Sequence, residues 1–435
     1  MSTSGSPTDY SAPWHNREFR KLFSAQVIAL IGTGLSTVAL TLLAYDISGG
    51  NAAAVLGIAL ACKMLAYVFF APVVGGLAHR FARRPFLIGM DVARAGLILL
   101  MPLVTEAWQI YLLVFTLNLF SAGFTPVFSA TIPDLLEDER TYTRALSMSR
   151  LAYDLETLLS PVLAGLALLL FSYSTLFGAN AAAFCLSALL IAASRLPANK
   201  PLNRSGKLRQ EISFGIIAYL RTPRLRGLLA LYLGVAAASA MVIVNTIIYV
   251  KDELGGSSTQ VAFALAAAGA GSMMAALSLP KLLDHLEDRV VMLLGGALMA
   301  IAVSLIATGP AFNTVLPIWL LIGVGWSLVQ TPAGRVVTRS SNAADRPAYF
   351  AAQFALSHAG WLLFYPVAGA LGSQLGVATT ALVLAVAIAA FTLLAWRIWP
   401  SPDPLELHHS HGGYRHSHPF VIDAHHPSWP DSKGI

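Results

Sequence analysis

Twelve apolar segments follow one another along this chain, each close to the length that a bilayer requires. A spanning helix takes about 20 predominantly apolar residues. Segments of this kind fall near residues 20–45, 53–78, 86–104, 107–130, 145–170, 173–195, 226–250, 260–279, 290–309, 314–333, 348–371 and 375–398. Only 11% of the residues are charged, against about 25% in soluble domains. We therefore predict an all-α integral membrane protein with twelve transmembrane helices.

The connections between these segments alternate in charge. Nearly all Lys and Arg residues lie in the N-terminal region, in every second connection and in the C-terminal region. The opposite connections hold only Lys251, and Lys63 and Arg94 fall within predicted helices. By the positive-inside rule this asymmetry predicts a bacterial-type inner (plasma) membrane protein with both termini in the cytoplasm. The net charge of +6 is explained by this orientation, and we expect no nucleic-acid partner.

The two parts of the chain repeat each other. Pro161–Leu166 resembles Pro366–Leu371 at an offset of 205 residues, and the loops at 76–84 and 281–289 match at the same offset. Internal repeats are typical of secondary transporters, whose substrate sites lie where the repeats meet. We predict two pseudo-symmetric six-helix halves at residues 1–195 and 226–399, a linker with an amphipathic helix at 196–225, and a His-rich tail at 400–435.

The sequence GGLAHRFARRP at Gly75–Pro85 resembles the loop signature of the major facilitator superfamily, with His79 in place of the usual Asp and Ala82 in place of the usual Gly. Asn16–Leu35 and Ala218–Leu231 are similar to the exporter branch that includes macrolide and siderophore efflux proteins. The resemblance implies the major facilitator fold and a gating loop. The residues assigned to this gate are His79, Arg80, Arg83, Arg84 and Arg94.

The tail extends the resemblance to nickel-resistance exporters, which combine this fold with a His-rich C-terminus. Clusters of His separated by no more than one residue can wrap a borderline metal ion through several imidazoles. We expect a flexible segment that captures metal before export, although a solvated tail without a role is the simpler interpretation. The histidines concerned are His408, His409, His411, His416, His418, His425 and His426.

Two carboxylates lie within the fifth apolar segment. A charged group at the centre of a membrane helix costs about 2.5–3.5 kcal/mol on insertion scales, so Asp154 and Glu156 each need a partner. Arg150 lies four residues before Asp154 and can pair with it, and Asp91 and Arg94 form a similar pair in the third segment. Charge neutralisation explains both pairs. Alternatively, Asp91, Asp154 and Glu156 couple transport to protons.

The repeat places a histidine opposite these carboxylates. Tyr153 corresponds to His358 at the offset of 205, and both His358 and Glu156 are predicted on the order of 18 Å from the cytoplasmic edge, near mid-membrane. Histidine with carboxylate ligands suits divalent Ni, Co, Zn or Fe. The predicted metal site comprises Glu156, Asp154 and His358, with Tyr153 and Asn245 lining it. Packing and helix–helix hydrogen bonds are the alternative roles of His358 and Asn245.

These features favour proton-coupled export of Ni²⁺, with Co²⁺ or Fe²⁺ as further cargoes, by alternating access of the two halves. The second interpretation is an exporter of an organic molecule, such as a siderophore or macrolide. Its cavity would be lined by Trp326, Trp361, Phe364 and Tyr365. A third is a membrane sensor whose tail binds metal. The sequence has no phosphate-binding Gly-Lys-Ser/Thr loop, so we expect neither an ATP-driven pump nor an enzyme, and no cofactor.

Overall fold

The computed structural model of the protein describes residues 12–48, 52–198, 208–403, 406–411, 414–422, 426 and 429. Within these residues the chain forms thirteen α-helices, followed by a β-hairpin. The helices are α1 Arg17–Ser48, α2 Ala52–Leu77, α3 Arg83–Ile98, α4 Ala107–Leu135, α5 Glu139–Leu168, α6 Tyr173–Ala192, α7 Leu208–Arg221, α8 Pro223–Ile247, α9 Ser258–Leu283, α10 Asp288–Ile306, α11 Phe312–Gln330, α12 Ala333–Arg339 and α13 Arg346–Ile398.

The described residues contain eleven helices that are long and apolar enough to cross a membrane. The longest, α13, is two helices joined at Gly376, whose φ of 77° and ψ of 165° interrupt the helical backbone. Residues with a side chain rarely adopt such a positive φ, so glycine permits this junction. The twelve-segment prediction is thereby confirmed, with the eleventh and twelfth segments on either side of Gly376.

Helices α1–α6 form the first half of the bundle and α8–α13 the second, as predicted for this fold. Each half has buried apolar clusters, which include Phe177 and Phe184 in the first half and Trp319 and Tyr249 in the second. The halves meet where α2 packs against α13 and where α5 packs against α9. The boundaries drawn between the halves, linker and tail stay predictions.

Helix α5 begins at Glu139, earlier than the predicted residue 145, because Asp138 caps it. The hydroxyl and the backbone N–H of Thr141 each donate to Asp138 Oδ2 over 2.7 Å. These hydrogen bonds, the hydroxyl's foremost, lower the pKa of Asp138 below its ordinary value despite the opposing effect of burial. A capping Asp satisfies backbone donors that the first turn leaves free.

The amphipathic helix of the linker, α7, packs against protein rather than lying only on the membrane. A Cβ added at Gly215 would fall 2.4 Å from the carbonyl oxygen of Ala348, and one at Gly76 would fall 2.6 Å from that of Glu211. These close approaches hold α7 against α2 and α13. The helix ends at Arg221 because the residue before Pro223 is disfavoured in a helix, and α8 begins at that proline.

A β-hairpin follows the bundle, where the sequence had suggested a flexible tail. Strand β1 spans Glu406–His411 and pairs antiparallel with β2, Tyr414–Pro419. Gly412 and Gly413 separate the strands in the sequence, and this dipeptide favours two-residue hairpin loops. That signal was available in the sequence.

Candidate functional site

Half-buried polar and aromatic side chains from both halves gather where α2 packs against α13, and Glu156 of α5 lies within the electrostatic range of Lys63. We call Lys63, Tyr67, Glu156, His358 and Trp361 the central cluster. Each is half-buried. The Tyr67 ring lies 4.8 Å from the His358 ring in an edge-on arrangement, which joins the two halves directly.

His358 has a fixed orientation within this cluster. Its Nδ1 lies 2.7 Å from the carbonyl oxygen of Phe354, so Nδ1 donates and Nε2 is the acceptor in the neutral ring. The rings of Phe354 and Trp361 lie 4.1 and 4.9 Å from the imidazole. Three aromatic rings, including Tyr67, therefore surround His358.

Glu156 faces the first half rather than the metal site predicted for it. A Cβ added at Gly34 of α1 would fall 2.9 Å from Glu156 Oε1 and 1.9 Å from Ser160 Oγ, so α1 and α5 are in close contact here. Lys63 exerts an electrostatic influence on both Glu156 and His358. Its ammonium also lies 5.7 Å from the Tyr67 ring. The Lys63 side chain thus lies in the region where a metal ion was expected.

Asp154 lies in different surroundings, as its position around the helix from Glu156 implies. It is 5% exposed, and Arg150 Nη2 donates to its Oδ1 over 2.7 Å. Ser272 of α9 donates to Asp154 Oδ2 over 2.7 Å, and Arg150 Nη1 donates to Gln330 of α11 over 3.2 Å. The Arg150–Asp154 pair therefore joins the two halves.

The buried pair in α3 lies inside the first half. Asp91 is fully buried and accepts hydrogen bonds from Arg94 and from Ser187 of α6. The Arg94 guanidinium lies 4.3 and 4.5 Å from the rings of Phe124 and Phe184. Arg94 is thus held within the helix packing and is not part of the loop to which we had assigned it.

Two further predicted residues lie apart from the central cluster. Asn245 is fully buried and donates to the carbonyl oxygen of Ala368 over 3.3 Å, so it bridges α8 and α13 instead of lining an open surface. Tyr153 is 42% exposed and lies near Gln26 of α1. The indole nitrogen of Trp326 is buried without a hydrogen-bond partner among the described residues.

Ion pairs connect the halves at the end of the bundle that carries the basic loops, which we call the basic end. Asp134 of α4 accepts from Arg83 over 2.6 Å and from Arg346 of the second half. Arg335 of α12 lies 2.6 Å from Glu139 and 3.1 Å from Asp288. A cavity of about 450 Å³ adjoins these residues. The basic end is therefore closed by contacts between the halves.

The loop residues predicted to form the gate lie around this ion-paired region. Arg80 donates to Glu211 of α7 over 2.7 Å, and His79 Nε2 lies 4.0 Å from the same carboxylate. Arg84 donates to the carbonyl oxygen of Ala192. The sequence did not single out Asp134, Arg335 or Arg346, although each sits close to a helix end in a repeated segment.

The predicted metal ligands do not form one group. Among the residues that the structure describes, no set of three or more His, Cys, Asp or Glu side chains could hold a metal ion. Of the tail histidines, His426 is 8% exposed and its ring packs against Phe420, whereas His425 lies outside the described residues. The other five lie on the strands of the hairpin.

A bundle of two repeated halves, with charged groups between them and an ion-paired closure at one end, is the architecture of a secondary membrane transporter. The sequence profile of the Major Facilitator Superfamily matches residues 22–247 and 228–422. The chain belongs to this superfamily of membrane transporters and is a multi-pass membrane protein.

Sequence relatives cover part of the chain. The uncharacterized MFS-type transporter YfiS of Bacillus subtilis (strain 168) is 27% identical over 267 residues, which are 59% of this chain and 62% of the relative. Macrolide efflux protein A of Streptococcus pyogenes is 24% identical over 185 residues, 41% of this chain and 45% of the relative. The chain thus matches less than two thirds of the length of these curated relatives.

Solved structures share the fold across most of the chain. The human organic anion transporter MFSD10 (TETRAN) has a TM-score of 0.74 at 13% identity, covering 86% of this chain and 98% of that one. A bacterial homologue of the iron transporter ferroportin in the outward-facing state has a TM-score of 0.73 at 17% identity, covering 88% and 99%. At these identities the likeness concerns the fold alone.

Proposed function

We propose that the protein exports an amphipathic organic molecule from the cytoplasm in exchange for protons. The observation that carries this proposal is the central cluster, where Lys63 and His358 lie beside aromatic rings at the meeting of the two halves and Lys63 exerts an electrostatic influence on Glu156. Charged groups in a membrane interior mark substrate or proton pathways. The efflux activity named for the macrolide relative supports the outward direction. The basic end is then the cytoplasmic end, with both termini there.

The chemistry of the cluster favours a substrate with an apolar face and a polar group. Tyr67, Phe354 and Trp361 offer ring surfaces that can pack against an apolar body. Lys63 can donate hydrogen bonds to an anionic or carbonyl oxygen. A siderophore or a macrolide has both kinds of surface.

Export of Ni²⁺, or of Co²⁺ or Fe²⁺, is the second candidate. The hydrogen bond from His358 Nδ1 to a backbone carbonyl is the arrangement that orients a metal-binding Nε2 in proteins. Two observations weigh against this candidate. Lys63 places a positive charge in the electrostatic range of His358 and Glu156, and Asp154 is occupied by Arg150 and Ser272.

The coupling between protons and movement is assigned to two carboxylates. Glu156, reachable in the central cluster, would exchange a proton with the outside when the basic end is closed. Asp154 accepts from Ser272 of the other half, so the separation of the halves that opens the basic end breaks this hydrogen bond. Substrate release and proton uptake at the centre would then shift the equilibrium between two arrangements of the Arg150–Asp154 pair, one with the hydrogen bond from Ser272 and one without it.

Proteoliposomes under an imposed proton gradient test the proposal, with a radiolabelled macrolide and radioactive Ni²⁺ as probes. We expect gradient-driven macrolide flux and no Ni²⁺ flux in the wild type. Glu156→Gln, which keeps the shape and removes the charge, should abolish gradient-driven flux. Glu137→Gln, at the exposed basic end, is the matched control and should retain it. Ni²⁺ flux without macrolide flux would replace the organic substrate by the metal.

A further inference from the structure

The segment that follows α13 carries one acidic side chain into the basic end. Asp403 lies four residues beyond Trp399, and its side chain is 4% exposed. Arg224, at the start of α8, has its Nη2 atom 3.2 Å from Asp403 Oδ1. Arg339, at the end of α12, and the indole nitrogen of Trp399 both donate to Asp403 Oδ2. One carboxylate therefore joins α8, α12 and the end of α13.

The two arginines depend on this carboxylate to different degrees. The Arg224 side chain is 1% exposed, and a buried charge is tolerated only where it is paired. The Arg224–Asp403 pair thus fixes Asp403 to the second half. The Arg339 side chain is 23% exposed, so water can reach it. Arg224 therefore holds Asp403 in place, and Asp403 in turn holds Arg339.

Helix α12, which ends at Arg339, carries part of the closure of the basic end. Arg335 Nη2 lies 2.6 Å from Glu139 of α5, and Arg335 Nη1 donates to Thr143 over 2.7 Å. The helix has only seven residues, and a helix this short is not stable by itself. Its contacts with the rest of the second half, the Arg339–Asp403 pair among them, therefore decide where Arg335 stands.

We propose that Asp403 is a positioning residue for the closure of the basic end. It holds Arg339 and thereby fixes α12 where Arg335 can meet Glu139. A helix already held in its docked position loses less conformational freedom on docking than a free one does. The closed arrangement is therefore more populated with the Asp403–Arg339 link than without it. The inference concerns the movement of the halves and does not depend on the substrate or the coupling ion proposed above.

Closure can be followed through a buried residue on the face of α5 that meets the second half. Ser147 is 4% exposed. It lies between Thr143 and Arg150, which both form hydrogen bonds with the second half, and residues three and four apart share one face of a helix. Ser147→Cys, in a protein whose two native cysteines are replaced by Ala, should therefore react with a water-soluble maleimide only when the halves separate.

Asp403→Asn would leave Arg224 buried without a counter-charge, so the link is cut from its other side. Arg339→Gln removes the contact with α12 and keeps the Arg224–Asp403 pair. The measurement is the rate of maleimide modification at Ser147→Cys in the full-length protein, reconstituted in nanodiscs. We expect Arg339→Gln to raise this rate by about fivefold or more, the lower end of typical coupling between sites. Its thermal unfolding temperature should stay near that of the parent protein.

The matched control cuts another anchor of the same tail. Tyr349 Oη donates to the carbonyl oxygen of Ile422 over 2.8 Å, and this contact joins the tail to α13 rather than to α12. Tyr349→Phe should therefore leave the modification rate unchanged. An equal rise in Tyr349→Phe and Arg339→Gln would show that any loosening of the tail opens the basic end, and it would overturn the role assigned to Asp403.

A double-mutant cycle tests whether Asp403 acts through Arg335. Arg335→Gln/Asp288→Asn removes both charges of that pair and leaves α12 without a cation to place against Glu139. Adding Arg339→Gln to this variant should raise the rate little further, because both changes remove the same contact between the halves. Effects that multiply would mean that the two act independently and would overturn the proposal. An unchanged rate in Arg339→Gln alone would overturn it as well.

Discussion

The two halves close the basic end with the same construction but with opposite charges. In the first half, Arg83 begins α3 and pairs with Asp134, which also binds Arg346 of the other half. In the second half, Asp288 begins α10 and lies against Arg335, which also binds Glu139 of the first half. Arg83 and Asp288 are separated by the repeat offset of 205 residues. These two equivalent positions thus carry charges of opposite sign.

This reversal makes the two halves complementary in charge at the basic end. In each half, the central residue of the ion pair (Asp134 or Arg335) also binds a residue of opposite charge from the other half. If both halves carried the same signs, the residue that each half supplies to the other would repel the central residue of the ion pair that it now joins. The surroundings also differ. The Arg83 and Asp134 side chains are 3% and 12% exposed, whereas the Glu139 side chain is 64% exposed.

The largest effect is expected from reversing one sign. Asp134→Arg brings three cations together at the basic end, and like charges in contact cost several kcal/mol. We expect a marked fall in the thermal unfolding temperature of the detergent-solubilised protein. Combining it with Arg83→Asp and Arg346→Asp gives the first half the signs of the second and should restore much of the loss. No recovery in the triple variant would mean that residue identity matters more than sign.

A smaller loss of stability should distinguish the ion pairs of the two halves. Asp134→Asn leaves two arginines without their acceptor and should cost on the order of 3–5 kcal/mol, as breaking a buried ion pair does. Asp288→Asn should cost less, because Arg335 retains Glu139 as a partner. Chemical unfolding of both variants beside the wild type measures the difference. Equal losses would show that the ion pairs of Asp134 and Asp288 have the same strength despite the different exposure of their partners.

The smallest effect concerns Asp138, the N-cap of α5, which directly precedes Glu139. Asp138→Ala should destabilise α5 by about 1 kcal/mol at neutral pH. Because folding lowers the pKa of Asp138, its carboxylate stabilises the protein above its unfolded pKa, and this stabilisation is lost as the pH falls through the folded pKa. The difference between wild type and variant should therefore shrink in acid. Glu137→Ala, at an exposed neighbour, should show no such change.

Much of the architecture could be predicted from the sequence because the bilayer limits the choices. Segment length and the repeat offset were enough to find all twelve crossing segments and the relation between the halves. The composition of the central cluster could not be found this way. Whether Lys63 or a metal ion stands beside His358 depends on how α2 is rotated and tilted against α13.

Other features were missed for local reasons. The place of Arg94 between two aromatic rings requires knowing which faces of α4 and α6 meet α3. The ion pairs of the basic end join residues far apart in the chain, such as Asp134 and Arg346, whose proximity arises only when the halves assemble. The hairpin did have a local signal, since histidines at alternate positions lie on both sides of a Gly-Gly pair.

Phe420 and Ile422 are 4% and 3% exposed and belong to the core of the second half. Their burial has a consequence for biogenesis. Every crossing segment precedes these two side chains, so the translocon has received the whole bundle before the second half acquires the last part of its interior. Final consolidation of that half is therefore delayed until residues 420–422 have left the ribosome. Fusion partners or affinity handles joined near residue 420 would compete with this late step, and their effect should appear as lower yield rather than altered topology.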